Sequence, residues 1–192
     1  MDLGDLMLVD RCLDGEDAAA RELFRRYQRK VHATLYRILG SNRDMDDLVQ
    51  ESFIQVFKSL RGYRGEARLS TWIDRITVRV AYRYIAHKKP AALTTELPDL
   101  PAAEAPADRR VLAREGVRRL YAAMAELPPA GRVAFALFEL DGRPVAEVAR
   151  AVGASVTATK LRIWRARRAL EKRAARDPIL SQFLAEPPEE SP

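Results

Sequence analysis

The chain has 192 residues, 47% of them apolar, and carries 33 Lys and Arg against 27 Asp and Glu, a formal net charge of +6. A single cysteine, Cys12, and two histidines, His32 and His87, exclude an internal disulfide and a Cys/His zinc cluster and favour a reducing, cytoplasmic setting. No apolar run approaches the roughly 18 residues of a bilayer span, and the acidic start (Asp2, Asp5) lacks a secretion signal's basic end, so neither secretion nor membrane spanning is expected.

In chain order, apolar positions recur every three or four residues, and strand-like alternation is hard to find, which predicts an all-α protein. Helices are expected over 5–13 and 17–39, the second carrying Leu23, Tyr27, Val31, Leu35 and Ile38 and stopped by Gly40, Ser41 and Asn42. The stretch 44–60 repeats the pattern with Leu48, Phe53, Val56 and Phe57, and its three early acids suit the positive end of a helix dipole. A helix over 70–89 precedes a segment, 90–107, with Pro90, Pro98, Pro101 and Pro106 among Glu96, Asp99 and Glu104, which reads as a flexible acidic linker. Helices at 108–126, 132–140, 144–151 and 155–174 follow, separated by Pro128, Pro129, Pro144 and Gly153. Residues 177–192, with four prolines and a short apolar patch from Ile179 to Leu184, read as an acidic, partly disordered tail.

Charge is distributed in blocks. Residues 1–60 hold 9 basic and 11 acidic side chains, 61–89 hold 8 and 2, and 108–176 hold 16 and 7. Two basic blocks flanking an acidic linker suggest two separate nucleic-acid contacts.

Within 70–89, Ile73, Ile76, Val80 and Tyr84 fall on one arc, and Trp72, Arg75, Arg79, Tyr82 and Arg83 collect on the other. Guanidinium groups attract phosphate and an aromatic ring offers a stacking platform, a combination suited to unpaired bases. The competing reading makes Trp72 a core anchor and the arginines a solubilising stripe. The preceding basic loop, Arg61 to Leu69, has two glycines that let a ligand approach the backbone but lacks the pattern of a nucleoside triphosphate loop.

Residues 144–173 have the layout of a helix-turn-helix: a short helix, Val152 and Gly153, then a helix opened by Ser155. Val156, Thr159, Ile163, Ala166 and Leu170 form its expected buried stripe, leaving Thr157, Lys160, Leu161, Arg162, Trp164, Arg165, Arg168 and Lys172 outward to enter a major groove or straddle phosphates. No active site of its own is expected. Neither histidine belongs to a catalytic constellation, and the adjacent Asp46 and Asp47 point about 100° apart on a helix.

The order of these pieces over residues 5–175 resembles the extracytoplasmic-function (ECF) type of bacterial sigma factor. Residues 46–57 look like that family's core-polymerase-binding helix, which implies that Asp46, Asp47, Gln50, Glu51 and Ile54 would dock on the β′ clamp helices of RNA polymerase core. Residues 63–66 and 69–76 are similar to the segment that captures and melts the −10 promoter element, which implies −10 contacts by Arg64, Ser70, Trp72, Arg75, Arg79 and Arg83. Leu127, Pro128, Arg132 and the helix-turn-helix are similar to the −35-reading domain, which implies DNA contacts by Thr157, Lys160, Arg162, Arg165, Arg167 and Arg168.

The resemblance thus implies two helical domains, 1–89 and 108–176, joined by the linker 90–107, with promoter DNA and polymerase core as partners, an anti-sigma factor as a further possible one, and no cofactor. The chain departs from the family where many members carry Asn and then Asp, having Arg79 and Arg83, and Leu161 fits either a thymine-methyl contact or a tolerated exposed side chain. Two other readings stand beside this one: a helix-turn-helix regulator that binds duplex DNA without polymerase, and a helical adaptor whose basic faces meet an acidic protein.

Overall fold

A computed structural model describes residues 3–87 and 107–185. The expected linker 90–107 lies outside the described residues except for Ala107, as does the end of the tail from residue 186. Among the described residues there are nine α-helices, a short 3-10 turn (Leu60–Gly62), a π-type turn (Ala136–Leu140) and no strand. The first four are α1 (Leu3–Leu13), α2 (Asp17–Leu39), α3 (Met45–Ser59) and α4 (Leu69–His87); the rest are α5 (Ala107–Ala125), α6 (Pro129–Phe135), α7 (Val145–Val152), α8 (Val156–Ala174) and α9 (Pro178–Ala185).

The heptad-like spacing of α2 buries Leu23, Val31, Leu35 and Ile38 against Phe53 and Val56 of α3 and Leu69, Ile73 and Val80 of α4. Phe24 of α2 and Phe53 meet with ring centroids 4.6 Å apart. Asp44 starts α3 at φ 57°, a left-handed conformation that Asp adopts more readily than most residues. Its carboxylate accepts the Tyr84 hydroxyl at 2.8 Å, which ties the end of α4 to the start of α3.

In the second half, Met124 of α5, Val133 and Leu137, Val148 of α7 and Ile163, Ala166 and Leu170 of α8 form the core. α6 continues into one wider, π-type turn over Ala136–Leu140. α7 ends at Gly153 (φ 65°), and Ser155 caps α8 by accepting the Ala158 amide at 3.1 Å, so the two helices meet as the sequence predicts.

The expected apolar patch of the tail lies in a helix, α9. Pro178 occupies the first helical position, where its missing N–H is no loss, and Asp177 Oδ1 accepts the amides of Ile179 and Leu180 at 3.0 and 3.2 Å. Both Asp177 carboxylate oxygens take Arg119 of α5 at 2.9 Å, and Leu180 is buried, so α9 packs on α5 and α8.

The two halves pack directly on one another, through α6 and α7 against α4 and the π turn against α2. A helix leaves its last four carbonyls without partners inside it. In α2, Tyr36 is closed by the Gly40 amide at 2.7 Å, and the other three are closed from the second half of the chain. The Tyr121 hydroxyl donates to Arg37 at 3.2 Å, and Arg132 donates through Nε to Ile38 at 3.0 Å and through Nη2 to Leu39 at 2.8 Å. Gly40 has φ 66°, and a Cβ there would lie 2.1 Å from the Tyr121 ring, so both conformation and contact require glycine.

α4 is accordingly buried on more than the expected arc. Ile73, Ile76 and Val80 face α2 and α3 as predicted and Tyr84 is half-buried, but Asp74, Thr77, Val78 and Ala81 are buried as well. The Asp74 carboxylate accepts both terminal nitrogens of Arg143, one of them at 3.0 Å at Oδ1, and accepts Thr34 Oγ1 at 3.1 Å. Arg143 Nη2 also reaches Thr34 at 3.3 Å, and Asp141 bridges the Arg143 Nε and Arg37 guanidinium groups at 2.5 Å each.

Candidate nucleic-acid interface

The first cationic surface is on α8. Thr159, Ile163, Ala166 and Leu170 are buried, whereas Val156, expected in the same stripe, is the first residue of the helix and 43% exposed. Thr157, Lys160, Leu161, Trp164, Arg165, Arg168 and Lys172 are exposed. Trp164 carries the Arg168 guanidinium 5.6 Å from its ring centroid, which stiffens a cation beside an aromatic face. Arg167 is exposed but engaged, donating to Glu139 in the π turn at 3.1 Å through Nε. Arg162 is half-buried and faces the first half of the chain.

The second surface is at the start and outer face of α4. Trp72 is half-buried rather than open: its ring packs on Tyr63 at 5.5 Å between centroids, and the Tyr63 hydroxyl donates to the Ala67 carbonyl at 2.8 Å. This contact braces the basic loop, on which Arg64 is exposed, against α4, where Ser70 is half-buried. Arg75 is half-buried, with its Nε enclosed and without a hydrogen-bond partner. Arg79, Tyr82 and Arg83 remain exposed. Arg79, Tyr82, Arg83 and Arg162 line one cleft of about 420 Å³ with Ile76 and Val133, so the two cationic faces that the sequence suggests are separate sit side by side.

A third surface is acidic and apolar. On α3, Leu48, Ser52, Phe53 and Val56 are buried, leaving Asp46, Asp47, Gln50 and Ile54 exposed and Glu51 half-buried. Glu51 accepts Gln55 Nε2 at 2.8 Å and lies 3.6 Å from Arg83 Nη2, linking this helix to α4. Asp46, Gln50 and Ile54 border a groove of about 630 Å³ between α2 and α3 whose floor is Phe24, Val49, Phe53 and Phe57. Phe57, counted as inward-facing from its spacing, is instead 38% exposed and lines this groove. The groove joins residues from two helices, which periodicity within one helix does not reveal; the exposed pair Ile54 and Phe57 was its sequence signal.

Burial shapes the electrostatics between the halves. Desolvation lowers the Arg132 guanidinium below its ordinary pKa, while at Arg143 the opposing pull of desolvation is overcome by Asp74 and Asp141, leaving its pKa raised. Among the described residues, no group of three or more His, Cys, Asp or Glu side chains is placed to hold a metal ion, and no helix is long and apolar enough to cross a membrane.

Residues 23–90 match the sigma-70 region 2 family model, and residues 117–170 match the sigma-70 region 4 model. The ECF RNA polymerase sigma-E factor of Haemophilus influenzae is 31% identical over 185 residues, covering 89% of this chain and 95% of that protein. The protein of the same name from Escherichia coli K12 is 30% identical over 181 residues, covering 89% and 94%. The chain is an ECF RNA polymerase sigma factor.

Solved structures agree on the fold of this sigma factor. CnrH, in complex with the cytosolic domain of CnrY, superposes with TM-score 0.60 at 21% identity over 90% of this chain and 98% of that one. The sigma factor RpoE of Bartonella quintana, in complex with the anti-sigma factor NepR, gives 0.53 at 17% identity over 82% and 97%. Region 2 takes in most of α2 through α4, region 4 runs from within α5 to α8, and α9 lies beyond both matched segments. The sigma family is one of transcription initiation factors.

Proposed function

We propose that the chain acts in the cytoplasm, without an active site of its own, by delivering RNA polymerase core to promoters that it reads at two places. Region 2, within residues 1–89, holds core through Asp46, Asp47, Gln50, Glu51 and Ile54, whose carboxylates and apolar groove suit a basic amphipathic helix pair such as the β′ clamp. Its −10 contacts come from Arg64, Ser70, Trp72, Arg75, Arg79 and Arg83. Region 4, within residues 108–176, reads the −35 element through Thr157, Lys160, Arg162, Arg165, Arg167 and Arg168. Residues 90–107 connect the two, and an anti-sigma factor is a further partner, as for the solved sigma factor of B. quintana.

The observation that carries this reading is the solvent face of α8, where exposed Lys160, Arg165, Arg168 and Lys172 share a capped, helix-turn-helix-supported helix with exposed Thr157. Co-purification of core polymerase with the tagged full-length chain tests the division of labour. Arg165→Ala with Arg168→Ala should leave core binding intact and weaken promoter binding by the holoenzyme. A chain that binds promoter duplex equally well with and without core would instead favour the polymerase-independent regulator.

A further inference from the structure

Two large apolar side chains stand in the open on the helix that follows the turn of the helix-turn-helix. Leu161 is 44% exposed and Trp164 57%, although α8 buries Thr159, Ile163, Ala166 and Leu170 within a few positions of them. At about 100° per residue, Thr157, Leu161, Trp164 and Arg168 fall within an arc of about 60° whose middle lies about opposite that buried stripe. The pair therefore occupies the centre of the outward face, with exposed Lys160 on one flank and exposed Arg165 on the other. Apolar side chains scattered singly over a surface need no partner. These two are neighbours on one face, and the Arg168 guanidinium lies 5.6 Å from the Trp164 ring centroid, so the next turn of the helix steadies the indole while more than half of the residue stays exposed.

The surroundings select the occupant. From Val156 to Arg168 the chain carries five cations and no acid, a field that draws in a polyanion. Counted from Val156, Leu161 and Trp164 are the sixth and ninth of the 19 residues of α8, in the half of such a helix that contacts base edges in a major groove. The apolar group that a base pair presents there is the thymine 5-methyl. Three residues of helix rise about 4.5 Å, close to the roughly 3.4 Å between base pairs, so the two side chains meet neighbouring steps.

We infer that Leu161 and Trp164 read thymine methyl groups on neighbouring base pairs of the −35 element and are determinants of base choice beside the polar and cationic contacts. This rests on region 4 reading the −35 element as proposed above. The flanking cations hold phosphates and serve any sequence, whereas the apolar pair discriminates, because a thymine at these positions buries a methyl group that the other bases lack.

The test uses holoenzyme assembled from core polymerase and the full chain. Promoter fragments randomised across the −35 region are selected for binding, and each thymidine of the selected sequence, on either strand, is then replaced singly by deoxyuridine, which removes only the 5-methyl group. The wild type should select thymine-containing pairs at two neighbouring positions, and each replacement there should weaken binding about fourfold, the worth of one buried methylene-sized group. In Leu161→Ala one of the two positions should become indifferent to the methyl, and in Trp164→Ala the other. Val156→Ala, which trims an exposed apolar side chain off the arc, should respond at both positions as the wild type does. Trp164→Ala also frees Arg168, but that weakens thymidine and deoxyuridine fragments alike and leaves their ratio unchanged. Circular dichroism verifies that each variant keeps its helices, and the wild-type response to deoxyuridine needs no variant at all. A selected −35 element without neighbouring thymines, binding that ignores deoxyuridine, or methyl responses that persist at both positions in both variants overturns the inference and leaves the proposed function standing. A holoenzyme that selects no −35 sequence overturns the proposed function, and the inference with it.

Discussion

Arg132 caps a helix that ends 93 residues before it: its Nη2 donates to the Leu39 carbonyl at 2.8 Å, and its Nε reaches the neighbouring Ile38 carbonyl at 3.0 Å. The planar fork of the guanidinium serves two acceptors at once and keeps its charge where burial disfavours one. Arg132→Met keeps much of the volume but orphans both carbonyls, each at about 1–3 kcal/mol. Thermal unfolding followed by circular dichroism should show a fall in Tm of several degrees, at about 2–4 °C per kcal/mol for a chain of this size. Arg132→Lys should recover only part of it, because an ammonium lacks the fork.

Gly40 and Tyr121 are a close-approach pair. Gly40→Ala meets both the left-handed backbone penalty, about 1 kcal/mol, and the Tyr121 ring. In a Tyr121→Ala background only the backbone part should remain. A double-mutant cycle by urea denaturation should therefore show Gly40→Ala costing less in the absence of the ring.

Alkaline pH should loosen the fold in a defined window. Burial raises both Tyr27 and Tyr121 from 10.0 to about 12, helped at Tyr27 by its hydrogen bond to Asp5. Below pH 10 both phenols are protonated whether folded or unfolded, and their contribution is fully present. Between 10 and about 12 the unfolded chain loses these protons first, so stability should fall across that interval. Tyrosinate absorbance during titration should show the Tyr27 and Tyr121 hydroxyls ionising late, together with Tyr36, which burial also raises, and denaturant midpoints should decline over the same range.

On α8, Arg165→Ala and Arg168→Ala should weaken promoter binding about equally on matched and mismatched −35 sequences. Each should lower the salt slope of log K by about 1 if it neutralises one phosphate. Fluorescence anisotropy of the holoenzyme on labelled promoter fragments, repeated across salt concentrations, measures both.

The helices were legible because each has a regular apolar stripe, and Ser155 and Gly153 marked the recognition helix by cap chemistry that acts within a few residues. The packing of region 4 on region 2 was not. It is carried by Arg132, Arg143 and Asp74, residue types that read as solvated surface until partners 69 to 94 residues away are in place. Val78 and Ala81 lie off the α4 stripe and are nonetheless buried, in a helix that packs on α6 and α7 as well as on α2 and α3. α9 had a readable signal in Asp177 followed by Pro178, an N-cap and first-turn proline just before the apolar patch from Ile179 to Leu184. Of the candidate site, the open face of α8 and the acids of α3 lie where periodicity puts them; Trp72 is half-hidden because Tyr63, nine positions earlier, folds back over it.

The most direct measurement is run-off transcription from a cognate promoter with purified core polymerase and the full-length chain, comparing wild type with Asp47→Arg plus Glu51→Arg. The account predicts promoter-specific transcripts with the wild-type chain and loss of them with the double variant, which would still bear the intact helix-turn-helix. Unchanged transcription from the charge-reversed chain, or none from the wild type on any promoter drawn from a broad library, would contradict it.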